Sequence, residues 1–289
     1  MTLGTNIHTY FNGQWHKGNP AIMHAADHGA WLGTTVFDGA RFFEGVAPDL
    51  EAHCARINHS AKALMITPTH ATSEIVDLVR EGLSAYPKSA AVYIRPMYWA
   101  LDGGVQGVAP APDATGFAIC LEEVAMPAAD AAVTLTTTQF HRPVLADNVT
   151  NAKAGCLYPN NARMLMEANA KGYGNALVAD ALGNVAETAT ANVFMAKDGE
   201  LFTPVANGTF LAGITRARHI SNLKREGMTV HETVLSFDDF RNADEVFLSG
   251  NYSKVTPVTE FDGTNYQIGP LTRRIREMYW DWALSGNNG

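Results

Sequence analysis

A chain of 289 residues has room for one large core or two smaller ones. Its 46% apolar and 17% charged residues describe a globular protein and exclude a disordered or fibrous one. A net charge of −8 argues against nucleic acid as a main partner, because neutralising phosphate takes a basic surface. No apolar run is long enough to span a bilayer, Met1 to Gln14 reads as no secretory leader, and the three cysteines (Cys54, Cys120, Cys156) form neither a metal-ligand spacing nor a disulfide framework. A cytoplasmic location is the expectation, with no membrane or nucleic-acid partner. The N-x-S/T triplets at Asn148, Asn207 and Asn251 are then chance matches.

In chain order, Tyr10-Phe11-Asn12-Gly13-Gln14-Trp15 sets Asn-Gly between aromatic runs, the signal for a tight hairpin. Residues 27–43 mix glycines with β-branched and aromatic residues and read as loop, then strand. Leu50, Cys54, Ile57, Ala61 and Leu64 recur at steps of three and four, which predicts a helix over 50–65; His53 and Arg56 share a neighbouring face of it. A second helix is predicted near 73–85. Residues 91–99 read as a strand on which Tyr93, Arg95, Met97 and Trp99 point the same way, and Pro96 assigns that strand to a sheet edge or a bulge. After a loop at 102–114 comes a strand at 116–124. A small-residue turn at 126–131 then divides an N-terminal domain, 1–125, from a C-terminal domain, 132–289.

The second domain is predicted to open with a strand at 132–140. A helix follows at 159–170, its Pro159 in the first turn where a missing N–H costs nothing. Strands are expected at 176–180 and 192–196, the latter turning at Asp198-Gly199 into 200–204. A helix at 214–225 closes at Gly227. Strands at 245–249 and 255–261 flank the turn Gly250-Asn251-Tyr252, and a last helix spans about 272–284. Strands outnumber helices and come in adjacent runs, so the fold class is α+β, two domains each on a mostly antiparallel sheet with flanking helices. The glycine spacings of dinucleotide and P-loop sites are absent.

Lys153, in Asn151-Ala152-Lys153-Ala154-Gly155, is a lone cation among small residues that cannot neutralise it, and it reads as an amine that holds a carbonyl cofactor as a Schiff base. Such a lysine needs a phosphate anchor, a partner for a ring nitrogen and a group at a phenolic oxygen. Ile214 and Thr215, opening a helix after Gly213, offer free N–H groups to a phosphate, and Arg56 offers charge. Glu187, flanked by small uncharged residues, would need a cationic partner if buried, and a protonated pyridine nitrogen would serve. Tyr158 is a donor for the phenolate. Taken singly, each has an ordinary structural reading: a solvated Lys, an exposed Glu, a polar helix face at Arg56, a core Tyr, a plain helix start.

Taken in order, Tyr10-Phe11-Asn12-Gly13, Gly33-Thr34-Thr35-Val36-Phe37-Asp38-Gly39, His53-Cys54-Ala55-Arg56, Tyr93-Ile94-Arg95-Pro96, Ala152-Lys153-Ala154-Gly155 with Tyr158, Glu187 with Asn192, Leu211-Ala212-Gly213-Ile214-Thr215-Arg216, Ala243-Asp244-Glu245-Val246-Phe247, and Ser249-Gly250 with Thr256-Pro257-Val258 carry a resemblance over nearly the whole chain. The chain resembles the class IV, fold type IV, pyridoxal-phosphate aminotransferases, the branched-chain and D-amino-acid aminotransferase family. The resemblance implies pyridoxal 5′-phosphate as cofactor and ping-pong transfer of an amino group between a hydrophobic L-amino acid and a 2-oxo acid such as 2-oxoglutarate. By that resemblance Lys153 carries the cofactor and shuttles the proton. Arg56, Tyr158, Glu187, Asn192, Leu211, Ile214, Thr215 and Asn251 bind the cofactor, and Phe37, Tyr93, Arg95, Leu32 and Tyr252 line the substrate pocket. Arg95 would take the side-chain carboxylate of glutamate. The family also implies a homodimer or higher oligomer, with the loop Gly103–Val108 closing a neighbour's site.

The pattern departs from branched-chain enzymes at four places. Leu32 stands where they carry Tyr, Asp38 where they carry Glu, and Asn251-Tyr252 replaces a smaller pair in the turn. These changes leave the cofactor set intact and keep other substrates open: amines for an (R)-selective amine transaminase, D-amino acids, or elimination by an aminodeoxychorismate lyase.

Overall fold

A computed structural model describes residues 4–286. They form two compact units. The first runs through Met126 and includes Asn151–Leu157; the second comprises Pro127–Thr150 and Tyr158–Ser285.

The first unit contains β1 (Thr5–Phe11), β2 (Gln14–Lys17), α1 (His28–Leu32), β3 (Thr35–Phe37), β4 (Ala40–Phe42), α2 (Leu50–Ala63), α3 (Thr72–Leu83), β5 (Val92–Ala100) and β6 (Thr115–Glu123). Its strands make one antiparallel sheet in the order β2-β1-β6-β5-β3, with β4 also on β5. The β1–β2 turn has Asn12 at φ 51° and Gly13 at φ 79°, the positive values that Asn-Gly tolerates best. On one face Ile94 sits opposite Leu121, and α3 lies so close that a Cβ on Gly82 would meet Leu121 Cδ1 at 2.7 Å. Cys54, Ile57 and Ala61 of α2 are fully buried, as their spacing requires. The opposite face of β5 carries Tyr93, Arg95 and Met97.

Pro96 does not lie on an edge. β5 pairs with β6 along one side and with β3 and β4 along the other. Its missing N–H costs no ladder bond because it faces the corner between β3 and β4, where the Asp38 N–H donates to the Pro96 carbonyl at 3.0 Å.

The second unit contains β7 (Val133–Thr137), α4 (Tyr158–Ala170), β8 (Asn175–Ala179), β9 (Val185–Thr188), β10 (Asn192–Lys197), β11 (Glu200–Pro204), α5 (Ile214–Arg225), β12 (Val230–Thr233), α6 (Phe237–Arg241), β13 (Glu245–Gly250), β14 (Lys254–Phe261), β15 (Thr264–Asn265) and α7 (Pro270–Leu284). The sheet runs β12-β11-β10-β13-β14-β7-β8-β9, with β15 on β14. Parallel pairing is confined to β11–β12, β14–β7 and β7–β8, so antiparallel pairs dominate, as expected of an α+β chain. Asp198 at φ 51° and Gly199 at φ 82° turn β10 into β11. Leu177, Val193, Leu248 and Phe261 share one core, while Phe194, Phe247, Leu223 and Ile275 share another. β9 has no counterpart among the expected elements. All four of its residues are buried, so it lacks the polar alternation that marks a strand. No helix among the described residues is long and apolar enough to cross a membrane.

Candidate active site

Main-chain bonds hold Lys153 in the first unit, not with the C-terminal elements where its sequence position had put it. The Phe37 N–H donates to the Lys153 carbonyl at 3.1 Å, and the Lys153 N–H donates to Ser60 Oγ at 3.0 Å. Val36 and Ala154 form an antiparallel bridge. A Cβ on Gly155 would lie 2.2 Å from Thr35 Oγ1, so only glycine lets the segment lie this close to β3. The amine ends 4.9 Å from the centre of the Phe37 ring. Two of the expected residues thus meet, the amine standing over the face of the Phe37 ring.

Asp38, at the corner after β3, is the electrostatic node of this unit. It is fully buried and accepts from Arg56 Nε at 2.6 Å and Arg56 Nη2 at 2.9 Å, with His53 Nδ1 at 2.7 Å. It also accepts from the Gly39 N–H at 2.7 Å. Burial alone would raise its pKa; the charge of Arg56 and the hydrogen bond from His53 outweigh it and hold the carboxyl well below the usual range. The three-residue step between His53 and Arg56 on α2 is what lets both reach one carboxylate. Arg56, expected at a phosphate, is therefore oriented by Asp38, a role for that residue the sequence did not suggest.

The substrate candidates on β5 lie on the face away from α3. Tyr93 fits because residue 39 is glycine: a Cβ there would lie 2.1 Å from the Tyr93 hydroxyl. The Arg95 guanidinium sits 5.0 Å from the Tyr93 ring centre and pairs through Nη2 with Glu122 Oε1 of β6. Glu122 was not among the expected site residues. Leu32 ends α1 beside Trp31, and both side chains are exposed.

In the second unit Glu187 is buried on β9. Its Oε1 meets Arg142 Nη2 at 2.8 Å and its Oε2 accepts from Asn192 Nδ2 at 3.1 Å. The cationic partner that a buried Glu187 requires is thus a protein residue that the sequence reading missed. Arg142 lies in an irregular stretch with no periodicity to mark it, and is itself buried, donating also to Asn161 Oδ1 at 2.6 Å. Asn192 ties this acid to the start of α5: its Nδ2 donates to the Leu211 carbonyl at 3.2 Å and its Oδ1 accepts the Gly213 N–H at 3.1 Å. A Cβ on Gly213 would stand 2.2 Å from that oxygen. The N–H groups of Ile214 and Thr215 follow in the first turn, where the helix gives them no carbonyl. In the turn after β13, buried Lys254 donates through Nζ to Asn251 Oδ1, and Asn251 Nδ2 has no hydrogen-bond partner among the described residues. Tyr252 and Tyr158, the latter the first residue of α4, are both partly exposed.

The first unit thus holds a lysine fixed by main-chain bonds, and the second a buried carboxylate tethered to a helix start whose first N–H groups have no helical carbonyl. The chain is a member of the amino-transferase class IV family, whose profile matches residues 35–261. The branched-chain-amino-acid aminotransferase of Salmonella typhimurium is 31% identical over 97% of this chain and 94% of its own length. An aminotransferase from Brucella abortus, solved with its cofactor PLP, is 55% identical, with a TM-score of 0.94 over 96% of this chain and 99% of that one. A branched-chain aminotransferase from Thermoproteus uzoniensis, solved with norvaline, is 25% identical, with a TM-score of 0.88 over 97% of this chain and 95% of that one.

Proposed function

We propose that the protein is a pyridoxal-phosphate-dependent transaminase that moves the amino group of a hydrophobic L-amino acid to a 2-oxo acid. The observation that carries this reading is the Lys153 amine, fixed by main-chain bonds against Phe37. The residues present suit the cofactor. Asn251 offers a buried N–H pair with no other partner among the described residues, the α5 start offers two N–H groups that the helix leaves without a carbonyl, and Glu187 is a buried carboxylate held by Arg142 and Asn192. Bound pyridoxal phosphate supplies an aldehyde that captures amines and a ring that takes up the electron pair left at the substrate α-carbon.

The chain's own residues do the rest. Lys153 Nζ, as a neutral amine, takes the proton from the substrate α-carbon and returns it one position along. Glu187, ion-paired with Arg142, would accept a hydrogen bond from the ring nitrogen and favour its protonated form. Tyr158 donates to the ring oxygen, with Leu211 packed near the ring. Arg56, Ile214, Thr215 and Asn251 hold the phosphate. Phe37 and Tyr93 give the substrate a mostly carbon surface, and Tyr252 and Leu32 are further residues of its pocket.

The homodimer that the family implies has support in the first unit. Trp31, Leu101 and Val108 gather exposed around His28, whose Nε2 lies 3.1 Å from the Val108 carbonyl. An exposed apolar cluster of that kind supports the reading of an interface there. A cytoplasmic setting goes with this reading.

A donor panel tests it: L-leucine, L-glutamate, D-alanine and (R)-1-phenylethylamine, each with pyruvate and 2-oxoglutarate. Turnover of L-leucine above the D-amino acid and the (R)-amine is expected. Turnover of the (R)-amine far above L-leucine overturns the L-amino-acid reading, and pyruvate release without any acceptor points to a lyase.

A further inference from the structure

Resting on the substrate role just given to Tyr93 and Arg95, we propose that Glu122 neutralises Arg95 and thereby restricts the enzyme to acceptors with an uncharged side chain, monocarboxylate 2-oxo acids, against 2-oxo dicarboxylates. An unpaired arginine on this face would read a second carboxylate. In this chain the position is already taken by one.

Register puts the pair together. Tyr93 stands directly opposite Glu122 across β5 and β6, and Arg95 opposite Cys120, so Glu122 and Arg95 are diagonal neighbours on one face. Glu122 Oε1 takes Arg95 Nη2. Its other oxygen, Oε2, accepts the Gly4 N–H at 2.9 Å, and Gly4 packs so tightly that a Cβ there would lie 2.9 Å from Glu122 Cβ. Glu122 is thus fixed by main chain on one side and by Arg95 on the other.

Exposure shows which partner can respond to a ligand. The Glu122 side chain is 3% exposed, while that of Arg95 is 25% exposed and lies along the Tyr93 ring. A dicarboxylate that drew Arg95 to itself would leave Glu122 buried and charged with no cation, a costlier state than the resting pair. A ligand with an aliphatic or small neutral side chain makes no such demand and meets Phe37, Tyr93 and Met97. Selectivity comes from the difference between these two outcomes and not from any new contact to the favoured acceptor. Glu122 is a positioning residue: it touches Arg95, not substrate.

Two measurements on the cofactor-loaded enzyme test this. Calorimetry with pentanoate and glutarate compares one carboxylate with two on the same carbon chain. The wild type should bind pentanoate at least tenfold tighter, and Glu122→Gln should bring the two within about threefold of each other. In steady state, kcat/KM for pyruvate should exceed that for 2-oxoglutarate by tenfold or more in the wild type. In Glu122→Gln the ratio should fall at least tenfold, because the dicarboxylate acceptor gains a lower KM at unchanged kcat, and Glu122→Asp should restore part of it. Glutarate binding as tight as pentanoate in the wild type, or equal losses with both acceptors in Glu122→Gln, overturns the proposal. The wild-type comparison decides even if a variant fails to fold. If no donor and acceptor pair gives any transfer, the transaminase reading fails, while calorimetry still decides the role of Glu122.

Discussion

Asp38→Asn removes one charge and almost no volume from the node that orients Arg56. The carboxylate accepts two bonds from Arg56, one contact from His53 and one bond from the Gly39 N–H. Asparagine keeps a single acceptor oxygen, and its amide N–H groups must face a guanidinium or imidazole donor. With that oxygen at the Oδ1 place, the charge-assisted bond from Arg56 Nε to Oδ2 is lost, worth about 1.5–3 kcal/mol, and Arg56 is left largely buried without this counter-charge. Breaking a buried pair from one side costs about 3–5 kcal/mol. At roughly 2–4 °C per kcal/mol, melting should fall by about 10 °C. Differential scanning calorimetry across pH checks both size and sign. Arg56 and His53 hold the folded-state pKa of Asp38 below its unfolded value, so the stabilisation is fully present above the ordinary carboxyl pKa of about 3.9 and fades as pH falls below it. The gap between wild type and variant should stay constant from neutrality down to about pH 5 and narrow below about pH 4. Because Arg56 loses its orientation, phosphate-dependent cofactor affinity should weaken too, and Asp38→Glu should retain more of both properties. A melting shift under about 2 °C, or a gap that widens in acid, refutes this account of the node.

Lys153→Ala should lower kcat/KM by more than about 10³-fold and abolish the absorbance of the covalently held cofactor; substantial residual turnover would remove Lys153 from the centre of the chemistry. Glu187→Gln should cost on the order of 10²-fold in kcat, read in single turnovers, since one fixed charge at the ring nitrogen is lost; a wild-type rate would assign Glu187 a purely structural role. Arg142→Met strands that same buried carboxylate, and urea denaturation should show a loss of about 3 kcal/mol or more. Gly39→Ala pushes a methyl group toward the Tyr93 hydroxyl, at an unrelaxed 2.1 Å, and should raise the amino-donor KM about tenfold with little change in melting temperature. An unchanged KM would show that Tyr93 takes no part in binding.

Much of the fold was legible where periodicity is clean. The α2 stripe, the Asn12-Gly13 and Asp198-Gly199 turns, and the helix Ile214–Arg225 with Gly227 after it are local signals with local causes. Pro96 misled because its constraint is on one N–H, and where that N–H points depends on β3 and β4, strands distant in sequence. β9 escaped because burial of every residue erases alternation. In the candidate site, Lys153, Glu187 and Arg56 stood out by charge against small or apolar neighbours. The ion-pair partners of Glu187, Arg56 and Arg95 did not. Arg142, Asp38 and Glu122 are paired across 45, 18 and 27 residues of chain, and one sequence carries no mark of such pairings.

The strap that fixes Lys153 has a consequence for how such a protein can change over generations. Its bonds to Phe37 and its bridge to Val36 run through main-chain atoms, which mutation of those side chains does not remove. The residues proposed to select the substrate, Tyr93, Arg95 and Glu122, are side chains on other strands. A lineage can therefore exchange the gatekeepers one at a time while the reactive amine stays where it is. New preferences can arise without passing through an inactive ancestor.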